Sequence, residues 1–177
     1  YHYVKSATMG VTYGGIKMAW AKNGTPDTLT GTNAGVTISD LTSTIFNVNL
    51  SHVIKSTSTN ARIRFGSSSI DTGSNYASRE SNDGGTDTVR TSQTNIIAQV
   101  NNLDFFHVFY AVNISAEEKL IIIHMAENVV AGAGTAPSRA EVVAKWVNTS
   151  NQYDNVQVYP TSGLYAIGSN LSALGTD

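Results

Sequence analysis

Residues 105–114 read FFHVFYAVNI, and this stretch decides the fold class. In an extended chain, successive side chains point to opposite faces. One face then carries Phe105 and Phe109, and the other carries Phe106 and Tyr110, so that both faces are apolar. Such a strand is typical of the middle of a sheet that is covered twice, by a second sheet or by a neighbouring subunit.

Residues 46–54 predict a strand with one buried and one wet face. Apolar side chains recur at every second position from Phe46 onward, and Asn47, Asn49 and Ser51 alternate with them. In an antiparallel sheet the apolar set normally packs on the core while the polar set faces water. We therefore expect Asn47, Asn49 and Ser51 on the outside.

Further strands are predicted where similar runs are bounded by turn residues. They comprise residues 61–65, 120–125, 155–159 and 169–175, and residues 120–125 are expected to form a hairpin with residues 105–114. The strongest turn signal is NDGG at 82–85, since Asn, Asp and Gly tolerate positive φ.

Residues 138–147 are compatible with two structures. Ser138 and Glu141 fit a helix capping box, whereas Val142, Val143 and Trp146 favour a strand. We prefer the strand.

Seven to nine short strands with polar turns predict one all-β domain over residues 1–177, a β-sandwich with the jelly roll as its preferred form. Residues 37–177 are expected to form the sandwich core. Residues 1–36 form either a first strand or an arm that reaches onto a neighbouring subunit. The candidate inter-subunit contacts are the aromatic residues of these segments, Tyr1, Tyr3, Tyr13, Trp20, Phe105, Phe106 and Phe109.

The composition argues against several classes of protein. Charged residues make up 14% of the chain, against about 25% in an average domain. The net charge of −2 with scattered basic residues argues against nucleic-acid binding. No apolar run approaches the roughly 18 residues of a membrane span. The absence of cysteine excludes disulfides and thiolate sites, and a start at Tyr1 rather than Met is compatible with a removed leader.

No catalytic motif is found, and we expect no enzyme activity. There is no G-x-S-x-G elbow, no Walker A sequence, and no dinucleotide-binding loop at Gly132-Ala133-Gly134. We expect His52, His107 and His124 in the core or in an interface rather than on a metal, where they would make association sensitive to pH near 6.

Two ligand classes stay open as alternatives. Oxygen ligands from Asp71, Asp83 and Asp87 in a turn-rich segment could hold calcium, although a solvated hairpin is the preferred interpretation. The aromatic rings Tyr153, Tyr159 and Tyr165 near the C-terminal loops could stack on a carbohydrate, as in a carbohydrate-binding module.

Several sequence blocks carry a resemblance to a known family. They are RF (64–65), DTGSNYA (71–77), NDGG (82–85), EEKL (117–120), AGAGTAP (131–137), KWVNTSNQ (145–152) and LGTD (174–177). Together they resemble a large group of β-rich structural proteins of marine phages and viruses, over residues 38–177. The resemblance implies a component of a virion or of an extracellular assembly, and it carries over no catalytic residue.

The expected function is that of a virion structural subunit, in a capsid, decoration layer or tail. Its partners would be copies of itself in a symmetric or helical assembly, with other virion proteins or surface glycans as further partners. A non-viral extracellular filament or surface-layer subunit shares the same properties and stays an alternative. The expected location is the virion or the extracellular space.

Overall fold

The computed structural model describes residues 19–57, 59–97 and 103–177. Every regular element in these residues is a strand. The strands are β1 (Ala21–Lys22), β2 (Asp27–Thr28), β3 (Val36–Ile38), β4 (Phe46–Val53), β5 (Thr59–Ser67), β6 (Ser69–Ile70), β7 (Tyr76–Asn82), β8 (Thr88–Gln93), β9 (Ile96–Ile97), β10 (Phe105–Val112), β11 (Lys119–Glu127), β12 (Ser138–Trp146), β13 (Asn155–Ser162) and β14 (Asn170–Thr176). Within these ranges there is no helix long and apolar enough to cross a membrane.

The strands form two antiparallel sheets that pack as a sandwich. The large sheet has nine strands in the order β1-β14-β4-β10-β11-β12-β7-β8, with β2 also paired to β14. The small sheet has five strands in the order β3-β13-β5-β6, with β9 paired to β5. The prediction of an all-β sandwich is confirmed, and the jelly-roll connectivity stays a prediction.

The core lies between the inner faces of the two sheets. Phe109, Ile121 and Ile123 of the large sheet are buried, and so are Ile63 and Phe65 of the small sheet. The Phe65 ring meets the Phe109 ring edge-on, with centroids 6.2 Å apart. These contacts join the middle of the large sheet to the small sheet. They form because alternate side chains of each sheet point to the other sheet.

Several local predictions are confirmed. Residues 138–146 form strand β12, not a helix, and β10 and β11 pair as a hairpin. The turn between β7 and β8 has Asp83 at φ 50° and Gly84 at φ 77°, the left-handed conformations that favour these residue types.

Strand β4 contradicts the expectation for its two faces. Asn47, Asn49 and Ser51 are buried against the core, while Phe46 and the apolar side chains in phase with it face outward. The two-residue period is as predicted, but the prediction that the polar face is wet is wrong. The Asn47 side chain compensates in part, because its Oδ1 accepts a hydrogen bond from Asn23 Nδ2 at 2.7 Å.

Residues 21–36 belong to the sandwich. Strand β1 pairs with β14, and β3 pairs with β13 of the other sheet. The residues before Ala19 lie outside the described part of the chain, and so do Tyr1, Tyr3 and Tyr13.

Two of the quoted sequence blocks meet at one corner of the sandwich. Trp146 Nε1 donates a hydrogen bond to Asp71 Oδ2 at 2.7 Å, and the Tyr76 hydroxyl bonds the backbone of Phe65 and Asp71. Partial burial raises the pKa of Asp71, but hydrogen bonds from Trp146, Asn75 and Gly73 outweigh it and hold the pKa below the usual value. The corner therefore depends on an ionised Asp71.

Lys119 closes the same corner from the start of β11. Its side chain is fully buried, and Nζ donates hydrogen bonds of 2.6 Å each to the carbonyl oxygens of Glu117 and Asn148. Burial lowers the pKa of Lys119, and Glu117 offsets part of this shift. A buried ammonium group that bonds two carbonyls is costly to replace, because both acceptors lose their donor.

We expect Lys119→Met to lower the free energy of unfolding by about 2–4 kcal/mol at pH 7, since two partly buried hydrogen bonds from a charged donor are lost. Equilibrium urea denaturation measures this change. The matched control is Lys145→Met, which breaks only the partly exposed ion pair with Glu118 and should cost at most about 1 kcal/mol. Equal costs for the two variants would contradict a structural role for the Lys119 ammonium group.

Candidate interaction surface

The outer face of the large sheet carries a continuous apolar surface. Its central row has one side chain from each of five neighbouring strands, which are Leu174, Val48, Tyr110, Ile122 and Val143 in register. Further apolar side chains flank this row on the same strands. We call the whole set the outer apolar face, and it comprises Phe46, Val48, Leu50, Phe106, Val108, Tyr110, Val112, Leu120, Ile122, Val143 and Leu174.

The side chains of this face are large and accessible. The exposed fractions are 42% for Phe46, 44% for Phe106, 47% for Tyr110, 50% for Ile122, 53% for Val143 and 59% for Leu120. Single exposed apolar residues are ordinary on a protein surface, but a contiguous set usually marks an interface. The arrangement is therefore a candidate interaction surface.

The dimensions of the face can be compared with those of known interfaces. Each of the eleven side chains occupies about 4.8 Å across the sheet and about 6.8 Å along a strand, which gives about 360 Å² in projection. A monomer's largest apolar patch is typically about 300–600 Å², and a stable interface buries about 800 Å² per partner. The face is thus as large as the main apolar patch of a monomer, and an interface built on it would also include its polar border.

Polar residues border the face. Arg139 pairs with Glu141 at 2.7 Å, and Lys145 pairs with Glu118 at 2.7 Å, both largely exposed. Arg79 lies beyond Val143 in the register and pairs with Asp87 at 3.3 Å. An apolar centre with a charged rim is the usual anatomy of a protein interface.

At one end the face contains a groove of 350 Å³ with an almost entirely apolar lining. Its walls come from β4, β10 and β11 and from the residue that precedes β1. We call it the Trp20 groove, and its side chains include Trp20, Phe46, Tyr110, Val112, Leu120 and Ile122.

Of the predicted inter-subunit contact residues that the structure describes, two lie at this surface and two lie in the core. Trp20 and Phe106 are exposed at the outer apolar face. The prediction that Phe105 and Phe109 contact another subunit is wrong, because they point inward, are only 3% and 0% exposed, and pack in the core. A strand shows one face to each side, so only its alternate residues can reach a partner.

Of the three tyrosines predicted to stack on a carbohydrate, two are buried and one is partly exposed. The prediction is wrong for Tyr153 and Tyr165, whose rings are buried inside the sandwich and offer no face to a carbohydrate. Tyr159 is partly exposed on the small sheet, but the Arg64 guanidinium lies 4.5 Å from its ring centroid. One face of that ring is therefore already occupied.

The acidic residues considered for calcium are not brought together. Asp71 accepts hydrogen bonds from Trp146, Asn75 and Gly73, Asp83 accepts one from the Arg139 backbone, and Asp87 pairs with Arg79. Among the described residues no three His, Cys, Asp or Glu side chains cluster in a geometry that could hold a metal ion. The carboxylates act singly, as anchors of turns and strands.

The histidines are likewise dispersed. His107 is buried, with its ring centroid 4.3 Å from that of Phe105. His52 and His124 are exposed on the outer side of the large sheet, opposite Phe106 and Val108 in the register. Sensitivity of association to pH near 6 stays a prediction.

Sequence reasoning missed the strongest contributors to the face, Leu120, Ile122 and Val143. The apolar run of residues 120–125 predicts a strand. A run that is apolar at nearly every position does not say which side chains face out. Comparison with known proteins adds no assignment, since no family model, no curated protein and no solved structure matches the chain.

Proposed function

We propose that this chain is a structural subunit of a virion, as a capsid, decoration or tail component, and that it assembles with copies of itself through the outer apolar face. The supporting observation is the orientation of β4. Asn47, Asn49 and Ser51 point into the core, while Phe46 and its apolar neighbours point outward. An isolated sandwich gains from the opposite arrangement, because apolar burial is favourable and polar burial is costly.

The cost of this orientation is visible inside the fold. In the described part of the chain, neither Asn49 Oδ1 nor the Ser51 hydroxyl has a hydrogen-bond partner. Each such group costs about 1–3 kcal/mol. The arrangement becomes favourable when a partner also covers the outer face, since the large sheet is then buried on both sides.

Composition supports the location of such an assembly. Few charges, many hydroxyl and amide side chains, and no cysteine suit a particle exposed to changing ionic strength. The resemblance of residues 38–177 to structural proteins of marine phages and viruses supports the same location. The proposed location of the assembled protein is therefore the virion, outside the cell.

The decisive substitutions are Tyr110→Glu and Ile122→Glu, made separately in the full chain. A carboxylate in the centre of an apolar interface should weaken association by roughly 100-fold, which corresponds to about 3 kcal/mol. Sedimentation velocity over a range of concentrations measures this change, and electron microscopy shows whether shells, tubes or rings form.

Val89→Glu is the matched control. Val89 lies on the same sheet and is 56% exposed, but it sits on β8, opposite Arg79 and outside the outer apolar face. It should leave association unchanged. A wild-type protein that stays a monomer at every concentration would overturn the proposal.

A further inference from the structure

The Trp20 groove lies where the described chain begins. Strand β1 runs antiparallel to β14, with Ala21 opposite Gly175 and Lys22 opposite Leu174. The chain before β1 is therefore directed past Thr176, the last residue of β14, at the end of the sheet where the groove opens. Trp20, 49% exposed, is already a wall of that groove.

The eighteen residues that precede Ala19 have the sequence of a segment that needs an apolar surface. Every second position of residues 7–13 is apolar, and the intervening positions are Thr or Gly. The apolar set in this phase consists of Ala7, Met9, Val11 and Tyr13, with Tyr1 and Tyr3 in the same phase, and Lys5 and Lys17 flank the set in that phase. A two-residue period puts all these side chains on one side of an extended chain.

Charge also favours contact between this segment and the rest of the protein. Residues 1–18 contain Lys5 and Lys17 and no acidic residue, a net charge of +2. The whole chain has 11 basic and 13 acidic residues. Without Lys5 and Lys17, residues 19–177 have 9 basic and 13 acidic residues, a net charge of −4. Opposite net charges promote encounter between the segment of one copy and residues 19–177 of another.

We propose that residues 1–18 of a neighbouring copy bind in an extended conformation along the Trp20 groove and the outer apolar face. This inference rests on the proposed function and names the occupant of the surface. Eighteen extended residues span about 59 Å, about three times the width of the five-strand face. The neighbour is favoured over the segment's own sheet, because β1 lies along the strand axis and points past the end of its own sheet, not across its strands.

Complementation between two full-length variants tests this exchange. The first variant, Ile122→Glu, has a blocked groove and an intact segment. The second, Val11→Asp with Tyr13→Asp, has an intact groove and a segment with charges on its apolar side. Each variant alone should associate at least about 30-fold more weakly than the wild type. An equimolar mixture should form a 1:1 complex, in which the segment of the first binds the groove of the second.

Native mass spectrometry and sedimentation velocity identify that complex. The phase control, Ser6→Asp with Thr12→Asp, adds the same charge to the other side of the segment and should weaken association less than about fivefold. Thermal melting of each variant confirms that the sandwich is intact.

The outcomes separate the two proposals. If the wild type associates but the mixed variants stay monomeric, or if the segment variant associates like the wild type, the exchange is overturned and face-to-face assembly stands. If the wild type itself is monomeric, both proposals fail.

Discussion

Replacing Trp146 by alanine is expected to lower the free energy of unfolding by about 3–5 kcal/mol, the usual cost of deleting a buried aromatic side chain. Trp146 is fully buried and its indole nitrogen donates a hydrogen bond to Asp71. The substitution leaves a cavity and removes a donor from an ionised carboxylate. Urea denaturation followed by far-ultraviolet circular dichroism measures the change without relying on tryptophan fluorescence.

Two further variants separate packing from hydrogen bonding at this corner. Trp146→Phe keeps an aromatic ring but loses the N–H donor and part of the indole volume, so we expect an intermediate cost of about 1–3 kcal/mol. Trp20→Ala removes the other tryptophan of the chain, which is half exposed, and should change stability by no more than about 0.5 kcal/mol. Similar costs for Trp20→Ala and Trp146→Ala would contradict the assignment of Trp146 as the anchor.

The strands of the large sheet were accessible to sequence reasoning because their patterns are local. β10 and β11 alternate or are wholly apolar over eight to nine residues, and Asn82-Asp83-Gly84-Gly85 has the residue types of a tight turn. β12 was ambiguous, since a capping box and β-branched residues compete within it. Its pairing with both β11 and β7 decides for the strand, and that tertiary context overrides local propensity.

Local patterns do not predict which face of a strand points to the core. Alternation in β4 separates Phe46 from Asn47, but it does not say which of the two points at the core. The expectation that apolar side chains point inward assumes that the chain buries them itself. β4 breaks that assumption, and the exception coincides with the candidate site, where a sequence is expected to depart from folding rules for the sake of function.

Contacts between segments that are far apart in the sequence could not be predicted either. The blocks around Asp71 and Trp146 stand out as motifs, yet nothing in either block shows that one bonds the other across 75 positions. The Trp20 groove likewise combines residues from the region before β1 with residues of three later strands. Long-range pairing of this kind is set by the topology of the whole sheet, which short motifs do not determine.

Alkaline conditions are expected to destabilise the fold steeply above pH 10. Burial raises the pKa of Tyr76, Tyr153 and Tyr165 well above the value of about 10 for a free tyrosine. Their contribution to stability is fully present below pH 10. It is lost as the pH rises further, because the unfolded chain releases phenolic protons that the folded chain retains. Because the unfolded tyrosine ionises only partly in this range, each tyrosine costs about 1 kcal/mol between pH 10 and pH 11, or about 3 kcal/mol for the three.

The variant Tyr165→Phe isolates one of these contributions. The Tyr165 hydroxyl is buried and has no hydrogen-bond partner among the described residues, so its removal should be nearly neutral at pH 7. Between pH 10 and pH 11 the variant should lose about 1 kcal/mol less stability than the wild type. Lys119 titrates in the opposite sense, since its lowered pKa adds stability as the pH rises toward its unfolded value. The contribution of Lys119 is the same in the wild type and in Tyr165→Phe, so it cancels in the difference between them. Equal losses of stability in the two proteins would show that Tyr165 is not held neutral by burial.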